Sequence, residues 1–281
     1  MRTRFTVLTA VLMALFLFSS HTFAQAPPGQ RGGQRGQGGQ QAGQGGGGQR
    51  AANQVVQSVP HDPHDLSGTW NKAWRTLSYT EEPPPFTAEG KKRFDANKPG
   101  YGPRAVAPAL GNDPMGFCDP LGIPRNLLLE VSIYQMEMVQ TPKRLFQVFE
   151  WAHSLREIWT DGRQMPKDLD PTFNGYSIGH WEGDVFVVQS AGFDDRPWLD
   201  HFGNPHSDQM TVEERYHRLD RDNMEMTITI TDPVIYTRPW VSERKILRLV
   251  PNRELPELFC VPSQEQTFNR VVRDPAGGII R

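Results

Sequence analysis

Cysteine is nearly absent from this chain: 281 residues carry only Cys118 and Cys260. No CxxC spacing and no flanking cationic cluster accompanies them, which removes the usual settings of a metal-bound or activated thiol. In an oxidising compartment such a pair most simply forms one disulfide. Long apolar runs are missing as well. The run at 10–18 (AVLMALFLF) falls short of the ~20 residues a membrane-spanning helix needs. There is no HExxH and no dinucleotide fingerprint, because the Gly-rich tract precedes no strand–helix unit, and no cofactor is implied. Nor is there an excess of one charge. Lys and Arg number 30 against 32 Asp and Glu, a formal net charge of −2. Arg2, Arg4, Arg31, Arg35 and Arg50 all precede residue 59, where there are no acids, so the remainder carries −7. That balance argues against a nucleic-acid-binding surface.

What is present divides the chain. Arg2 and Arg4, the apolar run, and the small residues of Thr22-Phe23-Ala24 and Ala24-Gln25-Ala26 predict a secretory signal peptide over residues 1–24. With no cysteine near the cleavage point, a lipid anchor is not expected. Residues 25–58 form a Gly/Gln/Arg-rich linker. Its stretch 25–50 has no aromatic or β-branched residue, so it buries too little apolar surface to offset ordering entropy and is expected to be disordered. Residues 59–281 fit one domain, in a periplasmic or secreted protein.

That domain reads as strands. Thr141-Pro142-Lys143-Arg144 separates YQMEMVQ from LFQVFEW, Glu182-Gly183 separates YSIGHW from DVFVVQS, and Asp220 to Asn223 separates MTVEERYHRL from MEMTITIT. Met224, Met226, Ile228 and Ile230 alternate with polar residues. LSGTWNKAW, LLLEVSIY and KILRLV bring the count to about nine. Residues 145–160 fit a strand or a helix, and the β-rich context favours the strand. The expectation is an all-β domain, an antiparallel meander closed into a lipocalin-like barrel. Two long irregular segments, 80–126 and 192–209, would serve as lids or rims.

LSGTW resembles the Gly-x-Trp that opens the first strand of lipocalins, where the Trp closes the barrel base. REIWTDGR (156–163), DLDPTFNGYSIGHWEGDVFVV (168–188), WLDHFGNPHSD (198–208) and DPVIYTRPW (232–240) together are similar to a family of exported proteins of soil bacteria. The likeness extends to the segments around both cysteines. It implies membership and export but no reaction, and it carries over no site residues. Relatives often have His-Pro after the DGR, where this chain has Met165-Pro166.

Candidate site residues follow from the strand reading. A two-residue period from Leu145 sets Trp151, His153, Glu157 and Trp159 on one face. Pairing Leu219 with Met224 sets Glu213, Arg215 and His217 opposite inward-facing Met226 and its neighbours, and His180 joins them from the preceding hairpin. A loop one residue longer or shorter would substitute Val212, Glu214 and Tyr216. In the first register these side chains share a cavity able to bind a small apolar or aromatic ligand. The alternatives are a cofactor-free acid–base enzyme (hydratase, lyase or isomerase) and an envelope interaction protein. In the enzyme, His153 and Glu157 form the acid–base pair and Arg215 stabilises an anion. The competing structural reading is a Glu–Arg–His network that simply fills the barrel. The loop 193–208, with Asp194, Asp195, Asp200, His201, His206 and Asp208, fits no metal-ligand spacing. GYSIG matches GxSxG at Ser177, but a hairpin and no helix follows it.

Overall fold

The computed structural model describes residues 60–129 and 135–278. The expected leader and nearly all of the linker lie outside the described residues. Ten strands form one sheet: β1 (Gly68–Lys72), β2 (Gln135–Gln140), β3 (Arg144–Phe149), β4 (Leu155–Trp159), β5 (Tyr176–Glu182), β6 (Val185–Ala191), β7 (Thr211–Arg218), β8 (Asn223–Thr231), β9 (Trp240–Val241) and β10 (Lys245–Leu249). Each pairs with the next from β1 to β9, and β10 pairs with both β1 and β8, which closes a nine-stranded barrel. The short β9 borders β8 above β10. All pairs are antiparallel except β4–β5. There the chain crosses back through residues 160–175, so β5 runs alongside β4 and pairs with it at only two positions, Ile158–Ser177 and Trp159–Ile178.

Alternation decides what faces inward. Met224, Met226, Ile228 and Ile230 of β8 are buried, as are Phe186 and Val188 of β6, and all six join a core with Trp70, Met136, Met138 and Leu247. The base is plugged by Trp70, whose indole donates to the Leu66 carbonyl at 3.0 Å. The Arg218 guanidinium lies 5.4 Å from that ring and donates to backbone carbonyls of Asp65, Asp220 and Arg221. The other end is covered by the long irregular segments and by helix α1 (Ala88–Ala96). A Cβ on Gly90 would lie 2.1 Å from the Ile235 carbonyl, so only glycine lets α1 sit this close to the segment after β8. A second helix, α2 (Pro262–Phe268), lies in the C-terminal segment, which the Cys118–Cys260 disulfide ties back to the rest.

Three expectations need correction. Residues 145–160 are neither one strand nor a helix but the β3–β4 hairpin, closed where Phe149 N donates to the Ser154 carbonyl. Ala152 and His153 take positive φ in its turn. The pairing across the Asp220 loop is displaced by one residue: the Asp220 carboxylate accepts from Asp222 N, Asn223 N and Asn223 Nδ2, and Arg218, not Leu219, faces Met224. Finally, Arg125–Leu128 is a short 3-10 turn and not the start of a strand, and residues 130–134 lie outside the described residues.

Candidate functional site

Both hairpin corrections move the expected site residues. The β3–β4 turn reverses parity, because Gln147 faces Arg156 across the pair. Glu157 and Trp159 therefore point outward while Arg156 and Ile158 point in. Glu157 pairs with Arg144, and the Trp159 ring carries the guanidinia of Arg163 at 3.5 Å and Arg144 at 4.8 Å. His153 sits in the turn itself. Its Nε2 donates to the Pro256 carbonyl at 2.9 Å and its ring stacks on Phe259. The two members of the expected acid–base pair thus have separate partners.

The β7 shift turns Glu213, Arg215 and His217 outward and Val212, Glu214 and Tyr216 inward. His180 is outward too, and there the outer surface does unite it with Arg215. Glu182 accepts from Arg215 at 2.7 Å and lies 3.3 Å from His180 Nε2, and Glu213 lies 3.5 Å from the same guanidinium. His217 faces Val185 on one side and Glu225 on the other. Met226 is an inward core side chain opposite Tyr216. The ionisable residues expected in the barrel, His153, Glu157, His180, Glu213, Arg215 and His217, do not share one cavity. Met165 borders an outer groove of about 370 Å³ with Gln189, Glu213 and Thr229.

What fills the barrel is a network of Glu214 and Tyr216, the side chains of the alternative register, with Arg156, Gln147 and Ser190, which the residue pattern did not single out. Arg156, 1 % exposed, donates to both oxygens of fully buried Glu214 at 2.6 and 2.8 Å. The same guanidinium donates to Gln147 Oε1, Ser177 Oγ and Ser190 Oγ at 2.8 to 3.2 Å. Tyr216 Oη donates to Glu214 at 2.6 Å and accepts from Gln147 at 3.1 Å. Burial pushes the Tyr216 phenol well up, and the adjacent Glu214 carboxylate adds to it. Every donor of the network that these bonds involve is spent on another member. Ser177, the serine of GYSIG, is one of the Arg156 acceptors.

Open space lies instead at the end away from Trp70, beside the short β4–β5 seam. Only two β4 residues pair with β5, and Asn174 Nδ2 takes up the Leu155 carbonyl at 3.0 Å. A cleft of about 410 Å³ lies there, lined by Trp151, Leu155 and Phe173, by the amides of Asn126 and Asn174, and by the disulfide. Asn126 Nδ2 donates to Ser154 Oγ at 3.3 Å, and Asn174 Oδ1 is buried without a hydrogen-bond partner. Compared with family models, curated proteins and solved structures, the chain matches none.

The loop 193–208 is ordered by its own carboxylates. Asp200 accepts from Ser78 Oγ at 2.5 Å, Asn204 Nδ2 at 2.7 Å, and the backbone of Phe202 and Asn204. Burial pushes this carboxyl up, against the pull of those donors. His201 is buried and held neutral: desolvation, with Arg125 adding repulsion, lowers it to about 3. His206 is lowered by burial too. Asp194 pairs with Arg196, and Asp195 with Arg93. Among the described residues no three His, Cys, Asp or Glu side chains are grouped to hold a metal ion.

Proposed function

We propose that this chain is an exported small-molecule-binding protein whose ligand sits in the cleft at the β4–β5 seam and not at the centre of the barrel. The cleft itself carries the reading: about 410 Å³ lined by Trp151, Phe173 and Leu155, with two carboxamides to fix orientation. Ligand sites are commonly such apolar concavities with a few placed polar groups. The barrel centre is the poorer place, because the Arg156–Glu214 pair crosses it. The Trp70 ring at the base supports a lipocalin-like plan, although nine strands and one parallel pair depart from the eight-stranded up-and-down form. The disulfide supports an oxidising compartment.

A ligand that binds only the folded state raises the unfolding midpoint by mass action. Thermal unfolding against a panel of lipids, sugars and aromatic metabolites should give at least one compound that raises the midpoint, and Trp151→Ala should abolish that rise. A hit left unchanged by Trp151→Ala would place the ligand elsewhere and overturn the reading.

A further inference from the structure

A second pocket lies apart from the seam, where α1 and the segment after it meet the 193–208 loop. It encloses about 330 Å³, with Phe86, Phe94, Tyr101, Phe202, Arg104 and Asn204 among its walls. Its aromatic wall is built and continuous. Phe94 stacks on Phe86 at 4.7 Å, Phe86 lies 5.4 Å from Tyr236, and the Arg104 guanidinium lies 3.6 Å from the Phe94 centroid. Arg104 is fixed by donating to the carbonyls of Phe94 at 2.7 Å and Asn97 at 3.0 Å. Gly102, at φ +78°, lets the chain come so close to Phe202 that a Cβ would lie 2.5 Å from the ring.

Two polar atoms among these walls are left over. Asn204 is 1 % exposed; its amide nitrogens both serve Asp200, yet Oδ1 is buried and accepts nothing. Arg104 Nε is likewise buried and donates to nothing. A buried polar group left unpaired carries an uncompensated desolvation cost, so a ligand group that pairs with it binds with that advantage. The missing partners are a donor for Asn204 and an acceptor for Arg104, and a hydroxyl is both. Glu81 and Glu82 also border the pocket and are exposed, so an aromatic carboxylate meets like charge on entry.

We infer that this pocket is a binding site for neutral phenol-type molecules of one or two rings, with the ring against the Phe86–Phe94 wall and the hydroxyl toward Asn204 and Arg104. The site is separate from the seam cleft and stands or falls independently of it.

The test is calorimetric titration of the protein at pH 7 with 2-naphthol, naphthalene and 2-naphthoate. The expected result is one-to-one binding of 2-naphthol, at least fivefold weaker binding of naphthalene and at least tenfold weaker binding of 2-naphthoate. Tyr101→Ala, at an exposed rim position, should weaken 2-naphthol at least fivefold. Trp151→Ala should leave it unchanged, and the double variant Glu81→Gln/Glu82→Gln should recover binding of 2-naphthoate. No heat with 2-naphthol up to its solubility, binding indifferent to Tyr101→Ala, or binding lost in Trp151→Ala would each overturn the proposal. Equal affinity for naphthalene would overturn the role of the hydroxyl.

Discussion

At the scale of single residues, the dominant fact is a charge pair inside a barrel. Arg156 and Glu214 are both removed from water, and each is tolerable only because the other is present. Replacing one member strands the other, so Arg156→Met or Glu214→Gln should each cost about 3–5 kcal/mol in urea unfolding. The double replacement Arg156→Met/Glu214→Leu should regain most of that loss, since no charge remains buried. A double variant as unstable as the two single losses added together would rule out this coupling. His201 gives a pH dependence with a defined sign. Its ordinary value is near 6.5 and burial lowers it to about 3 in the folded chain. Between those values the unfolded chain carries a proton that the folded chain does not. Stability from this group is therefore complete above pH 6.5 and is lost as pH falls toward 3, by up to ~1.4 kcal/mol per pH unit. Asp200 acts with the opposite sign, because its raised value favours the folded state in acid. The discriminating measurement is the difference between wild type and His201→Gln across pH 3–7. The variant should have the shallower decline in stability on acidification, and identical slopes would refute the assignment.

At the scale of elements, parity explains both what the residue pattern revealed and what it concealed. The clean alternation of Met224 to Ile230 made β8 and its inward face legible, and the turn between β5 and β6 was marked by Gly183. In that hairpin the observed turn is Gly183-Asp184, a shift of one residue in the loop and two in the pairing. A shift of two keeps the same side chains on the same face. In β7 the shift was one, and everything changed sides. The Asp220 carboxylate gathers three donors from Asp222 and Asn223, and the pairing across the loop moves by one residue. Counting turn residues does not reveal which side chain folds back on the backbone. The same applies at Glu150–Ser154: Trp151, Leu155 and Ile158 also satisfy a helical period, and no Gly or Pro marks the turn. Positive φ at Ala152 and His153 is what closes it. The aromatic pocket was still less visible, since Phe86, Tyr101 and Phe202 come from irregular segments with no period to read and Phe94 from the short helix α1.

At the scale of the whole molecule, the disulfide ties together parts the barrel alone does not hold. Cys118 and Cys260 are 142 residues apart, and all strands but β1 lie between them. The C-terminal segment after β10 is mostly exposed, with Phe259, Phe268 and Val271 half open to solvent. Among the described residues its noncovalent anchors include the His153 bond to the Pro256 carbonyl and the stacking of that ring on Phe259, the Thr69 hydroxyl bond to the Arg253 carbonyl, the Asn269 amide bond to the Gly116 carbonyl, and Arg273 over Phe117 at 5.1 Å. Both cysteines also border the seam cleft. On the chain-entropy account, a closed loop of this size restricts the unfolded chain enough to contribute about 4–5 kcal/mol. Cys118→Ser/Cys260→Ser should therefore lower the urea-derived stability of the barrel by about that amount, and any ligand of the cleft should bind more weakly as its wall loosens. The size of the loss distinguishes two architectures. A loss near the full value means that the C-terminal segment and the barrel unfold as one cooperative unit. A loss below about 1 kcal/mol, with early proteolysis after Leu249, would refute that cooperativity, because the segment would then be detaching while the barrel stays folded.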